Sequence, residues 1–127
     1  MTLKIAAPLA ALGACAAATL LHATTPSPTS KAYIVGTIEV SDTTAYARDY
    51  APRVAATMAP WRGRYLARGG RVERLEGEAP AGRVVIIEFP SLGHALGYYR
   101  SPAYQALAPV RQLLSRGDIF VVEGLPR

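Results

Sequence analysis

One cysteine, two histidines and no glycine-rich nucleotide fingerprint leave this 127-residue chain little conventional chemistry to work with. The lone cysteine, Cys15, cannot form a disulfide within the chain. A domain this small must then be held by its core or by self-association. The histidines are His22 and His94. If the N-terminal segment is removed, only His94 remains, and neither a two-histidine metal site nor a cysteine–histidine nucleophilic pair can be built in one subunit. There is no G-x-G-x-x-G and no P-loop. No metal and no cofactor are therefore expected. Acidic residues are also short, nine against fourteen basic, for a net charge of +5. Twelve of the basic residues are arginines spread along the chain. A nucleic-acid binder would cluster them on one stripe, so no nucleic-acid partner is expected, and the excess leans toward anionic ligands.

The N-terminus is set apart by its own pattern. Lys4 precedes a run from Ile5 to Leu21 that carries no charge, and Leu21-His22-Ala23 ends in a small residue. A basic start, an apolar run and a small-residue exit make a secretory signal over residues 1–23. The expected locale is periplasmic or secreted. The run is too short and too rich in alanine for a stable membrane span. Leu12-Gly13-Ala14-Cys15 also resembles a lipobox, which keeps open a form lipid-anchored through Cys15. The apolar run continues past that cysteine, as it does not in most lipoproteins. Residues 24–30, TTPSPTS, read as a disordered spacer, which leaves one domain over residues 31–127.

Within that domain, residues 32–40 alternate as a strand, with Ala32, Ile34, Gly36, Ile38 and Val40 on an apolar face and Tyr33, Val35, Thr37 and Glu39 on a mixed one. Asp42 is placed to cap a helix whose buried stripe is Tyr46, Tyr50, Val54 and Met58. Pro52 should kink or split that helix, and Pro60 should end it. A second strand runs over residues 64–68, is interrupted by a bulge at Gly69-Gly70, and resumes over residues 71–76. Residues 83–89, nearly all apolar, read as a central strand. Ser91 caps a short helix with a Leu92, Ala95, Leu96 and Tyr99 stripe. Ser101-Pro102 opens another, with Tyr104, Leu107, Val110, Leu113 and Leu114 inward. Gly117 should end it before a closing strand over residues 118–123. The order is β-α-β-β-α-β, an α+β ferredoxin-like plan: a four-stranded antiparallel sheet with helices on one face. The uncovered face would hold Tyr33, Val35, Thr37 and Glu39 with Val84, Ile86 and Glu88. A surface so apolar calls for a partner, and a second copy packed face to face is the economical one.

The segments GRYLARGG (63–70), LEG (75–77), RVVIIEFPS (83–91) and YYRSPAYQAL (98–107), followed by Arg111, resemble the domain of unknown function 1330 family across residues 31–124. The resemblance implies a dimeric ferredoxin-like α+β barrel. It implies no established activity, although the wider superfamily includes cofactor-independent monooxygenases, isomerases and haem-binding enzymes.

Among individual residues, Glu88 stands out as a carboxylate on an otherwise apolar strand. It would need a raised pKa, as a proton shuttle does, or an arginine partner, for which Arg64 is placed. Tyr33, Tyr65, Tyr99 and Tyr104 could offer phenolic hydrogen bonds to a ligand, with Arg64 and Arg111 as its electrostatic partners. Glu76 could pair with Arg74 or Arg111, His94 should face solvent, and Ser101 is a cap. Three readings stay open. The first is a homodimer binding a small organic or anionic ligand in the cleft between sheet faces. The second is a cofactor-independent proton-transfer, isomerase or monooxygenase-type enzyme using Glu88. The third is a purely structural dimer.

Overall fold

Arg83–Phe89 forms β3 over the length its apolar run specifies, and it sits inside the sheet. The structure, a computed structural model, describes residues 29–127 together with residues 2–4, 6–8, 10, 11 and 13. Cys15 and most of the signal and spacer segments lie outside the described residues. Among the described residues no helix is long and apolar enough to cross a membrane. β1 (Ala32–Val40), β2 (Arg64–Arg68), β3 and β4 (Ser115–Glu123) form one sheet in the order β2-β3-β1-β4. All neighbours run antiparallel. This is the ferredoxin-like arrangement, with the first and third strands central.

After β1, Asp42 caps the first helical turn by accepting from the Ala45 N–H at 2.8 Å. Helix then runs on without a break: α1 (Thr43–Ala45), a π turn (Tyr46–Tyr50) and α2 (Ala51–Met58). The expected kink or split at Pro52 is thus replaced by a widened turn just before it. Pro52 has no N–H to offer, and its ring would strike the carbonyl of Arg48 in a regular helix. Looping Ala51 N–H back to Tyr46 O opens the spiral and relieves that clash. The buried stripe is the expected Tyr46, Tyr50, Val54 and Met58.

Three expectations are corrected. β2 ends at Arg68 and does not resume over residues 71–76, because its antiparallel partner runs out. Arg68 pairs with Val85, and β3 begins only two residues before that. The charged stretch beyond is an exposed loop, and the sheet irregularity lies between Tyr65 and Ala67 instead of at Gly69-Gly70. Gly117 does not end a helix. α4 (Pro102–Leu114) stops earlier, where Ser115 Oγ donates to the Arg111 carbonyl at 2.7 Å. Gly117 lies inside β4 at φ +147°, against the Thr37 carbonyl, where a Cβ has no room. Lastly, Leu113 is exposed, and Ala108 and Arg111 are buried in its place. The sequence 104, 107, 108, 111 follows the i, i+3, i+4, i+7 rule, whereas residue 113 falls half a turn away.

α3 (Leu92–Arg100) and α4 are capped by Ser91 and Ser101, as their sequences indicate. Both pack with α2 on the Ala32, Ile34, Ile87 and Phe89 face of the sheet, which with Tyr98 and Leu107 makes the core. Among the described residues the opposite face carries no helix. Register places Val35 between Ile86 and Phe120, and Tyr33 between Glu88 and Val122. Phe120 and Val122 are each about half exposed, at 53% and 49%.

Candidate functional site

Alternation along the strands decides which candidate residues can meet. Glu88 and Arg64 face each other on the open side of the sheet, with Tyr33 on the far side of Glu88. The Glu88 carboxylate takes Lys31 Nζ at 2.7 Å and Arg64 at 3.0 Å on the same oxygen. The Arg64 pair is the expected one, and Lys31 adds a second cation. The Lys31 hydrogen bond, opposed by burial and assisted by Arg64, holds the Glu88 carboxyl below the usual glutamate range. A carboxylate paired with two cations and held in its ionised form at neutral pH is a poor proton shuttle, which counts against Glu88 as acid or base. Because its pKa is lower folded than unfolded, the pairing stabilises the fold above the glutamate range and is lost on acidification. Melting temperatures of wild type and Glu88→Gln should therefore differ most near neutrality and converge as the pH falls through that range. A gap independent of pH would mean the ion pairs add nothing.

The other candidates converge on the helix side. Between sheet and helices lies a cavity of about 40 Å³ lined by Tyr46, Tyr50, Tyr65, Tyr98, Tyr99 and Tyr104, six of the chain's seven tyrosines. Beside it lies a surface vestibule of about 440 Å³, which shares Ile38, Tyr46, Ala51, Arg68 and Arg83 with it. The Arg68 guanidinium lies 4.6 Å from the centre of the Tyr65 ring and that of Arg83 lies 5.3 Å from the Tyr46 ring. Behind Tyr104, Arg111 is buried, and its Nε donates to the Tyr104 hydroxyl at 3.3 Å. That hydroxyl lies 3.2 Å from the hydroxyl of Tyr50.

The electrostatics are one-sided. All nine acidic residues lie in the described domain, and none lines the cavity. Glu39 borders the vestibule but is paired with Arg116 at 2.9 Å. None of Arg68, Arg83 and Arg111 forms an ion pair among the described residues. Burial pushes the Tyr46, Tyr50, Tyr65 and Tyr98 hydroxyls above the ordinary tyrosine range. At neutral pH they are O–H donors, so the cavity offers protons and positive charge and no anion of its own.

Of the expected ligand residues, Tyr65, Tyr99 and Tyr104 line the cavity and Arg111 stands behind Tyr104, while Tyr33 and Arg64 lie on the other face. Tyr46, Tyr50, Tyr98, Arg68 and Arg83 were not anticipated as site residues. One signal could have found them: seven tyrosines against two phenylalanines. Hydroxyls at core positions carry a desolvation cost that phenylalanine avoids. Glu76 pairs with neither Arg74 nor Arg111, since it lies in the exposed loop, where Arg71 takes Glu73. His94 is half buried, its Nδ1 2.7 Å from the Ser91 hydroxyl, instead of facing open solvent. Among the described residues no cluster of histidine, cysteine and carboxylate could hold a metal.

Two solved structures of RPA0582, a protein of unknown function from Rhodopseudomonas palustris, resemble this fold. One superposes with a TM-score of 0.61 at 15% identity, covering 80% of this chain and 88% of that one. Its methylated form gives a TM-score of 0.63 at 16% identity, covering 79% and 84%. SnoaB, a cofactor-independent oxygenase from Streptomyces nogalater, is similar at a TM-score of 0.51 and 15% identity, covering 78% of this chain and 97% of its own. At these identities the likeness is one of fold. No curated protein matches the sequence. A family model covers residues 31–125, nearly the whole domain, and by it the chain belongs to the family described as Domain of unknown function (DUF1330).

Proposed function

We propose that this protein is an exported homodimer that binds a small organic anion in the cavity between its sheet and its helices. The carrying observation is a tyrosine-lined cavity with no carboxylate, with Arg68 and Arg83 in its lining and Arg111 behind Tyr104. Gathering cations without counter-charges costs stability, and an anionic ligand supplies the missing charge. The inner cavity is the size of an oxygen-bearing head group, and the vestibule has the volume of an ordinary small-molecule site. The ligand thus lies on the helix side of each subunit and not in a cleft between sheet faces. The open face, with Val35, Ile86, Phe120 and Val122, is the surface for the second copy. The charge pattern of residues 1–23 supports export.

The test is calorimetric titration with benzoate and with its neutral counterpart benzamide, on samples also weighed by native mass spectrometry. Benzoate should bind to a dimer of the cleaved chain, and benzamide should bind more weakly by about tenfold or more. Arg83→Met should remove most of that preference. Equal affinity for the two compounds, or a monomeric mass, would refute the corresponding half of the proposal.

A further inference from the structure

Two of the hydroxyls that line the cavity leave one proton over. Tyr50 and Tyr104 carry two O–H hydrogens between them, and one hydrogen serves the 3.2 Å bond that joins them. The other has no acceptor among the described residues. Arg111 decides which one that is. Its Nε donates to the Tyr104 oxygen, which occupies a lone pair there and polarises the Tyr104 O–H into a better donor and a poorer acceptor. Either hydroxyl could donate by geometry, and the Arg111 bond favours Tyr104 as the donor to Tyr50. The Tyr50 hydrogen is then the one left to point into the cavity that Tyr50 lines.

We propose that the ligand presents an anionic oxygen, a phenolate or a carboxylate, to the Tyr50 hydroxyl, and that Tyr104 and Arg111 are positioning residues that fix the direction of that donor. The inference rests on the proposed anion site and adds where in it the charge is read. A single relay running from a guanidinium through two phenols delivers part of the buried charge to the ligand without direct contact. It also sets specificity: an ether or a methyl ester offers a weaker acceptor and leaves the relay incompletely satisfied.

The probe is 4-nitrophenol, whose colour reports whether it is bound as phenol or phenolate, compared with 4-nitroanisole, which cannot ionise. Wild type should bind nitrophenolate in preference to nitroanisole and lower the ionisation midpoint of the bound phenol. Tyr50→Phe removes only the terminal donor and should weaken phenolate binding roughly ten- to a hundred-fold. It should also return the midpoint toward its value in water. Tyr104→Phe should produce a smaller shift in the same direction. The double variant should lose no more than Tyr50→Phe alone, because the two hydroxyls act in series. A purely structural role would change melting temperatures but not the colour-reported midpoint. If wild type binds nitrophenolate and Tyr50→Phe leaves both affinity and midpoint unchanged, the relay is refuted while the anion site survives. If wild type prefers neither compound, both readings fall together.

Discussion

Replacing Phe89 by alanine should cost about 3–5 kcal/mol of folding stability, as removal of a fully buried aromatic side chain does. Phe89 has no exposed surface, and its ring stacks on Tyr98 with centroids 5.2 Å apart. Gly63 also approaches so closely that a Cβ there would lie 2.7 Å from the Phe89 ring. The surroundings have little freedom to collapse into the space left behind. That puts the loss at the upper end of the range, a large part of what holds a domain of this size. Thermal unfolding followed by circular dichroism should show a melting temperature lower by about 15 °C or more. Phe89→Leu keeps most of the volume and should cost far less. The effect should reach the site as well. Tyr98 leans on Phe89 and, at 4.8 Å between ring centres, on Tyr104, so loosening one ring loosens a wall of the cavity. A loss under 1 kcal/mol would mean that β3 does not end in the core as described.

The fold was legible because its signals are local and repeated. The apolar run of residues 83–89, the alternation of residues 32–40 and three serine or aspartate caps each name an element, and their order names the topology. The errors came where a residue's meaning depends on a distant partner. The stretch 71–76 has strand-like spacing, yet a strand exists only where another lies beside it, and β3 begins too late to supply one. Gly117 looks like a helix stop, but the close passage of β1 requires a glycine inside β4.

The site was legible only in part, for the same reason. Strand alternation correctly put Glu88 on the open face, beside Arg64. Its second cation, Lys31, is 57 residues away in sequence. The tyrosines of the helix over residues 43–58 had the spacing of a packing stripe, and packing is what they do with their rings. Their hydroxyls acquire a role only because Arg111, at the inward-facing i+7 position from Tyr104, arrives beneath them. Nothing local in PVRQLL distinguishes a buried arginine from an exposed one. The periodicity 104, 107, 108, 111 does, once Leu113 is seen to fall on the opposite side of the helix.

Arg111→Met should stabilise the protein while weakening its hold on anions by about tenfold. Arg111 is only 6% exposed, and no carboxylate meets it. Burial disfavours its charge. The tyrosines Tyr104, Tyr50 and Tyr99, with the Tyr104 hydrogen bond, outweigh that and hold the guanidinium above its ordinary range. That contribution, however, needs ionised phenols, and a phenol is neutral at neutral pH. At neutral pH the compensation shrinks to a single 3.3 Å hydrogen bond to a neutral phenol. An apolar side chain of similar length removes the desolvation cost and keeps the packing of the aliphatic stem. A gain of about 1 kcal/mol is expected, which raises the melting temperature of a domain this size by roughly 4–8 °C. Benzoate or nitrophenolate affinity should fall in the same variant, because the Tyr104–Tyr50 relay loses its polarising end. Stability and binding moving in opposite directions is the signature of a charge held in reserve for a ligand. If the melting temperature drops instead, the guanidinium is a structural element of the core. If it rises with affinity unchanged, Arg111 plays no part in reading the anion.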